Sequence, residues 1–197
     1  MKCSYFTSTT RKLYETYSMS SRLNRLLNNY SNHISVPWQK GLAGVQKVIF
    51  VVYDKTEELR FRAHLTEFEI ATTSAQHDWC EINISNAFPE WMAALDYKEG
   101  YFESPEDIET TLDDFMRELV QKIRIQIATA DSNTVVAIVG VGTLFGYIKA
   151  SDLVNNIATF VPGRLLIFFP GEFENNNYRL LDARDGWNYQ AVPITAS

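Results

Sequence analysis

An α/β fold with a mostly parallel central sheet is predicted by three features of the chain. Short apolar runs at 46–53 (QKVIFVVY), 134–139 (TVVAIV) and 164–169 (RLLIFF) are rich in β-branched and aromatic residues, the composition of strands covered on both faces. Between them lie longer stretches whose apolar residues recur at helical spacing. Such alternation implies right-handed crossovers that put helices on both faces of one sheet. Finally, the 197 residues are 46% hydrophobic with only 6 Pro and 9 Gly, enough for one substantial core and too apolar for a disordered chain.

The opening residues are polar and carry no clear period. They are read as a flexible extension over 1–18, ahead of a single domain over 19–197, with Met19 a candidate functional start. From Ser21, the residues Leu23, Leu26, Leu27, Tyr30 and Ile34 follow helical spacing, and the helix stops near Pro37. Lys40-Gly41-Leu42-Ala43-Gly44 is the loop into the first strand. Asp54-Lys55-Thr56-Glu57 then has capping-box spacing, which predicts a helix of about four turns with Leu59, Phe61, Leu65 and Phe68 toward the core. Trp79 to Ile84 reads as a strand, and Ala87 to Leu95 as a short helix burying Phe88, Trp91, Met92 and Leu95.

Ser104-Pro105-Glu106-Asp107 has the residues of a helix start, since Ser caps, Pro fits the first turn and the acids suit the dipole. Ile108, Leu112, Phe115, Leu119, Ile123 and Ile127 continue from it at helical spacing for about six turns. After the 134–139 strand, Gly140-Val141-Gly142 turns the chain toward a helix from Ser151 to Phe160, which Pro162-Gly163 stops. The strand from Arg164 to Phe169 is closed by Pro170-Gly171. Tyr178 to Leu181 and Tyr189 to Ile194 are read as an edge hairpin with its turn at Asp185-Gly186. Together the elements predict a Rossmann-like three-layer sandwich.

In such a sheet the carboxyl ends of the strands are where a ligand is sought, here Tyr53-Asp54, Gly140-Val141-Gly142-Thr143 and Pro170-Gly171-Glu172. GVGTLFG matches neither phosphate motif: it lacks the lysine of a P-loop, and Phe145 stands where a dinucleotide fingerprint needs a third small residue. Its glycines read first as a tight turn. Nucleotide or phosphate sensing through Gly140, Gly142 and Thr143 is the alternative. No glycine follows the first strand, so ATPase activity is not expected. Asp54 and Glu172 could converge on a divalent metal, the basis of a phosphoesterase alternative, although a helix cap and a loop residue explain them more simply.

His33, His64 and His77 form no HxxxH or HExxH pair, no GxSxG elbow exists, and Cys3 and Cys80 lack zinc or CxxC spacing. No enzyme and no cofactor is expected. Phe173, Tyr178, Trp187 and Tyr189 could form a partner surface or pack a hairpin onto the sheet. The net charge of −6 argues against a broad DNA-binding face, because such affinity comes from cations that displace counterions. Arg22, Arg25 and Lys40 are the one local patch weighed for DNA. No apolar run reaches the roughly 18 residues of a membrane helix, and no signal peptide is legible, so a cytoplasmic protein is expected.

Several blocks in fixed order carry a family resemblance. They are Lys40-Gly41-Leu42, Tyr53-Asp54, Glu58-Leu59, Arg62-x-His64, Gly140-Val141-Gly142, Leu153-x-Asn155-Asn156 and Phe168-Phe169-Pro170-Gly171-Glu172-Phe173. With these the chain resembles the BrxB family of bacteriophage-exclusion (BREX) defence systems, over Ser21 to Ile194. Gly146, Lys149 and Ser151 stand where that family shows Pro, Arg and His, and Gln190 where an arginine is usual; Lys149 keeps a positive charge. The resemblance implies a small non-enzymatic adaptor whose direct partner is a PglZ-type protein with an alkaline-phosphatase-like domain. A DNA methyltransferase and a large ATPase would be the other components. The candidate interaction or strand-end surface comprises Asp54, Arg62, His64, Gly140, Gly142, Lys149, Asn155, Asn156, Gly171, Glu172, Phe173, Trp187 and Tyr189.

Overall fold

The three apolar runs become the middle of the sheet because each is buried on both sides. In the computed structural model, which describes residues 8–39, 41–183 and 187–196, every residue of β1 (Val48–Tyr53) and β3 (Thr134–Val139) is buried. β4 (Arg164–Glu174) lies between them, and β2 (Asp78–Asn83) and β7 (Val192–Ile194) form the edges, in the order β2-β3-β4-β1-β7. All four pairings are parallel.

Alternation along β1 divides its side chains between two cores. Ile49 and Val51 join α1 (Ser8–Ile34), α2 (Glu58–Ala63) and α3 (Leu65–Ser74) through Leu26, Tyr30, Phe61 and Phe68. Val48 and Phe50 face the other layer, built by α4 (Ala87–Ala94), α6 (Leu112–Gln126) and α7 (Ala150–Ala158) through Trp91, Phe115 and Leu153. Between α4 and α6 runs α5 (Lys98–Glu103), which buries no residue. The Rossmann-like three-layer arrangement is the one the element pattern predicts.

Four local expectations are corrected. Residues 8–18, assigned to a polar extension, form the first turns of α1, since a helix nucleated by the packed stretch from Leu23 to Ile34 gains one hydrogen bond for each residue it adds. Residues 1–7, with Cys3, lie outside the described residues, as do Lys40 and the Asp185-Gly186 turn.

The single helix expected after β1 is three pieces: a 3₁₀ turn at Lys55–Glu57, then α2, then α3. Leu59 is 86% exposed, because Phe61 takes the inward position and residues two apart on a helix cannot share a face.

The side chain of Ser104 makes no cap, and Pro105–Thr111 is 3₁₀ before α6 starts at Leu112. The Thr110 and Thr111 hydroxyls donate to the carbonyls of Asp107 and Ile108, each at 2.8 Å. Such local bonds compete with α-helical geometry.

β4 does not close at Pro170-Gly171. It runs on to Glu174 and turns through Asn175 and Asn176, both left-handed, with φ of 51° and 62°, as a tight hairpin requires. β5 (Asn177–Leu180) returns antiparallel to β4 and pairs with β6 (Trp187–Asn188). The expected edge hairpin is thus replaced, and Val192 to Ile194 joins β1 in parallel.

Candidate functional site

Adjacent strand ends build one cleft. Tyr53 of β1 lies beside Pro170 of β4; beyond them the chain leaves β1 for the α2 and α3 face and leaves β4 for the β5 hairpin, whose Tyr178 packs in the opposite core. Departure over opposite faces opens a crevice, the position where doubly wound sheets take their ligands. Its volume is about 530 Å³, with Asp54, Lys55 and Glu57 on the β1 side, Gly171, Glu172 and Phe173 on the β4 side, and Arg22 and Arg25 projecting from α1.

The polar groups in this cleft differ in what already holds them. The Asp54 carboxylate accepts from the Thr56 hydroxyl at 2.7 Å and from the Thr56 amide at 2.9 Å. These bonds, helped by Arg22 and Lys55, hold its pKa below the ordinary carboxylate value. Asp54 is therefore a cap, as one reading of the sequence has it. Glu172 pairs across the hairpin with Arg179 at 3.1 Å, and Lys55 pairs with Asp182. Glu57 is only 7% exposed and its Oε1 has no hydrogen-bond partner. Burial pushes its pKa up, against the pull of Arg22. Asp54 and Glu172 do share one cleft, but among the described residues no three His, Cys, Asp or Glu side chains stand close enough to hold a metal ion together.

Most of the other singled-out residues are held by neighbours within the fold. Arg62 donates to Glu58 at 2.6 Å while the Tyr53 hydroxyl donates to the same carboxylate, tying α2 to the end of β1. His64 Nδ1 meets Glu67 at 2.7 Å. Gly140 is left-handed at φ 93°, and a Cβ there would sit 2.4 Å from the Ser85 hydroxyl; a Cβ on Gly142 would press the Pro170 ring at 3.1 Å. The Thr143 hydroxyl donates to Gly140 carbonyl at 2.8 Å. The glycine turn is a packing device. On α7 Asn155 is exposed, and exposed Asn156 donates back to the Asp152 carbonyl at 2.8 Å.

The late aromatics pack inward. Tyr178 is fully buried, and its ring lies 4.5 Å from Phe50 and 4.6 Å from Phe173. Trp187 and Tyr189 are half-buried against Phe50 as well. Tyr178 thus packs the hairpin on the sheet, while Phe173, Trp187 and Tyr189 keep part of their surface exposed.

A second depression of about 630 Å³ lies between the start of α7 and the hairpin, with Phe145, Tyr147, Lys149 and Trp187 in its lining. Phe145 and Tyr147 are 45% and 41% exposed, and Tyr147 stacks on Phe88 with centroids 3.7 Å apart. Lys149 was a candidate from the sequence; the two aromatics were not. Their signal was present, since two large rings flank Gly146 in a turn where polar residues are usual. The sequence likewise marks Arg22 and Arg25 only as a patch for DNA contact and Glu57 only as a capping residue.

Fold and clefts together define a Rossmann-like α/β protein with a crevice at a strand switch and an aromatic depression beside it. Residues 80–194 match the family described as BREX protein BrxB. The chain belongs to the BrxB family and is a component of a BREX phage-defence system. The matched stretch runs from β2 through β7, so the resemblance blocks on α2 and at the end of β1 precede it. No curated protein and no solved structure matches the chain. Among the described residues no helix is long and apolar enough to cross a membrane.

Proposed function

We propose that this chain is a non-enzymatic adaptor that binds a PglZ-type protein and links it to the rest of the defence complex. The observation that carries the reading is the depression beside α7. Two large rings, Phe145 and Tyr147, are left about half exposed there, next to a half-buried Trp187 and the exposed cation of Lys149. Aromatic side chains in a concave patch are the usual anchors of protein interfaces. Support also comes from how the polar groups are used: Asp54, Glu58, Arg62, Glu67 and Glu172 are engaged with neighbours that hold turns and helices in place. That employment suits a binding scaffold.

Co-purification of the full chain with the PglZ-type protein tests the proposal. Wild type is expected to form a stable complex, and a variant carrying Phe145→Ala with Lys149→Glu to lose affinity at least about tenfold, the effect of removing one interface anchor. No association of the wild type would overturn the adaptor reading. Hydrolysis of a phosphoester by the purified chain would overturn its non-enzymatic part.

A further inference from the structure

The β1–β4 cleft contains charge that the fold itself does not consume. Lys55 is taken by Asp182, and Glu172 by Arg179. Arg22 and Arg25 remain at the cleft, one helical turn apart on α1 and both exposed, without an ion pair among the described residues; Arg22 feels Asp54 and Glu57 electrostatically. Glu57 supplies the independent sign of a missing partner, a carboxyl more than nine-tenths buried whose Oε1 accepts nothing. An unmet buried acceptor costs about 1–3 kcal/mol, which a donor arriving in the cleft would recover. Glu57 is one of the residues that line the cleft.

We propose that this cleft binds a nucleoside monophosphate whose base carries an exocyclic amine, with the phosphate between Arg22 and Arg25, the amine on Glu57 and the base against the half-buried ring of Phe173. Charge selects the number of phosphates. A monophosphate carries about −1.5 to −2 at neutral pH, which two guanidinium groups match. A triphosphate would carry more charge into a cleft already lined by Asp54, Glu57 and Glu174. Size agrees, since about 530 Å³ falls within the roughly 300–1,000 Å³ typical of small-molecule sites. The base preference follows from hydrogen-bond polarity: a carboxyl oxygen accepts from the amine of adenine or cytosine but meets only a second acceptor at O4 of uracil. This site is independent of the adaptor reading, because the cleft and the aromatic depression share no lining residue.

Calorimetry on the full chain with AMP, CMP, UMP and inorganic phosphate tests the proposal. AMP or CMP is expected to bind at least about tenfold more tightly than UMP or phosphate, one lost hydrogen bond being worth about that factor. Arg22→Ala with Arg25→Ala, both on an exposed face, should weaken binding by at least about tenfold in protein that still unfolds cooperatively. Glu57→Gln, which offers either an acceptor or a donor, should erase the preference of CMP over UMP. A merely structural Glu57 would not produce that change. No binding of any monophosphate to folded protein, equal binding of UMP and CMP, or unaltered affinity in the arginine variant would each overturn the proposal.

Discussion

The hydroxyls of Tyr30 and Thr72 meet at 2.6 Å in the core between α1 and α3, 42 residues apart in the chain. Thr72 has one hydroxyl hydrogen and donates it to the Phe68 carbonyl at 2.8 Å, so Tyr30 is the donor to Thr72. Both residues are fully buried, which makes this the polar link that seats α1 against α3. Removing the donor alone by Tyr30→Phe should cost about 1 kcal/mol. Thr72→Val leaves the Tyr30 hydroxyl buried without an acceptor and should cost more, about 1–3 kcal/mol. Urea denaturation of both variants gives the order directly, and the reverse order would show that Tyr30 finds another acceptor.

Leu59 and Phe61 make a second pair of opposites. Phe61 is buried and lies flat on Tyr53, ring centroids 3.9 Å apart and planes 2° apart, whereas Leu59 is 86% exposed. Phe61→Ala is expected to destabilise by about 3–5 kcal/mol, and Leu59→Ser to stay within about 0.5 kcal/mol of wild type. Thermal or urea unfolding of the two variants side by side is the measurement.

Gly140 and Gly146 share a left-handed backbone, with φ of 93° and 87°, but not their surroundings. A Cβ on Gly140 would collide with the Ser85 hydroxyl and amide, while one on Gly146 meets nothing within 4 Å. Gly146→Ala should therefore cost only the left-handed strain of about 1–2 kcal/mol. Gly140→Ala should cost clearly more, because β3 and the loop after β2 would have to separate. Comparable losses in the two variants would remove the packing role assigned to Gly140.

Asp54 and Glu57, three residues apart, should respond to pH with opposite signs. The folded pKa of Asp54 is lowered, first by its hydrogen bonds to Thr56. Its charge therefore stabilises the fold above the unfolded pKa, and that contribution is lost as pH falls through the folded value. The folded pKa of Glu57 is raised by burial; its ionised form burdens the fold at neutral pH, and acid relieves the burden. Asp54→Asn should lower stability at neutral pH and Glu57→Gln should raise it. Both differences should fade in acid, which denaturation at two pH values would read.

The sequence by itself determined the layers of this protein. Runs such as VIFVVY and TVVAIV have no polar face to turn to water, so they had to become interior strands, and the helical periods between them had to cover both sides. It also supplied the ordered blocks that place the chain in its family, the strongest of them through Gly171, Glu172 and Phe173. The sites were less legible. Asp54, Gly171, Glu172 and Phe173 are singled out by the sequence and do share the cleft, but Arg22 and Arg25 join them only because α1 docks across the end of β1, a contact between distant segments that no local spacing encodes. Tertiary structure also decided which aromatics face inward. Phe50 of β1 gathers Phe169, Tyr178, Trp187 and Tyr189 around its ring, and Phe145 and Tyr147 stay at the surface. Hydrophobicity alone does not separate these two sets of rings; the turn after β4, made by two asparagines in a left-handed backbone, is what brings Tyr178 back over Phe50.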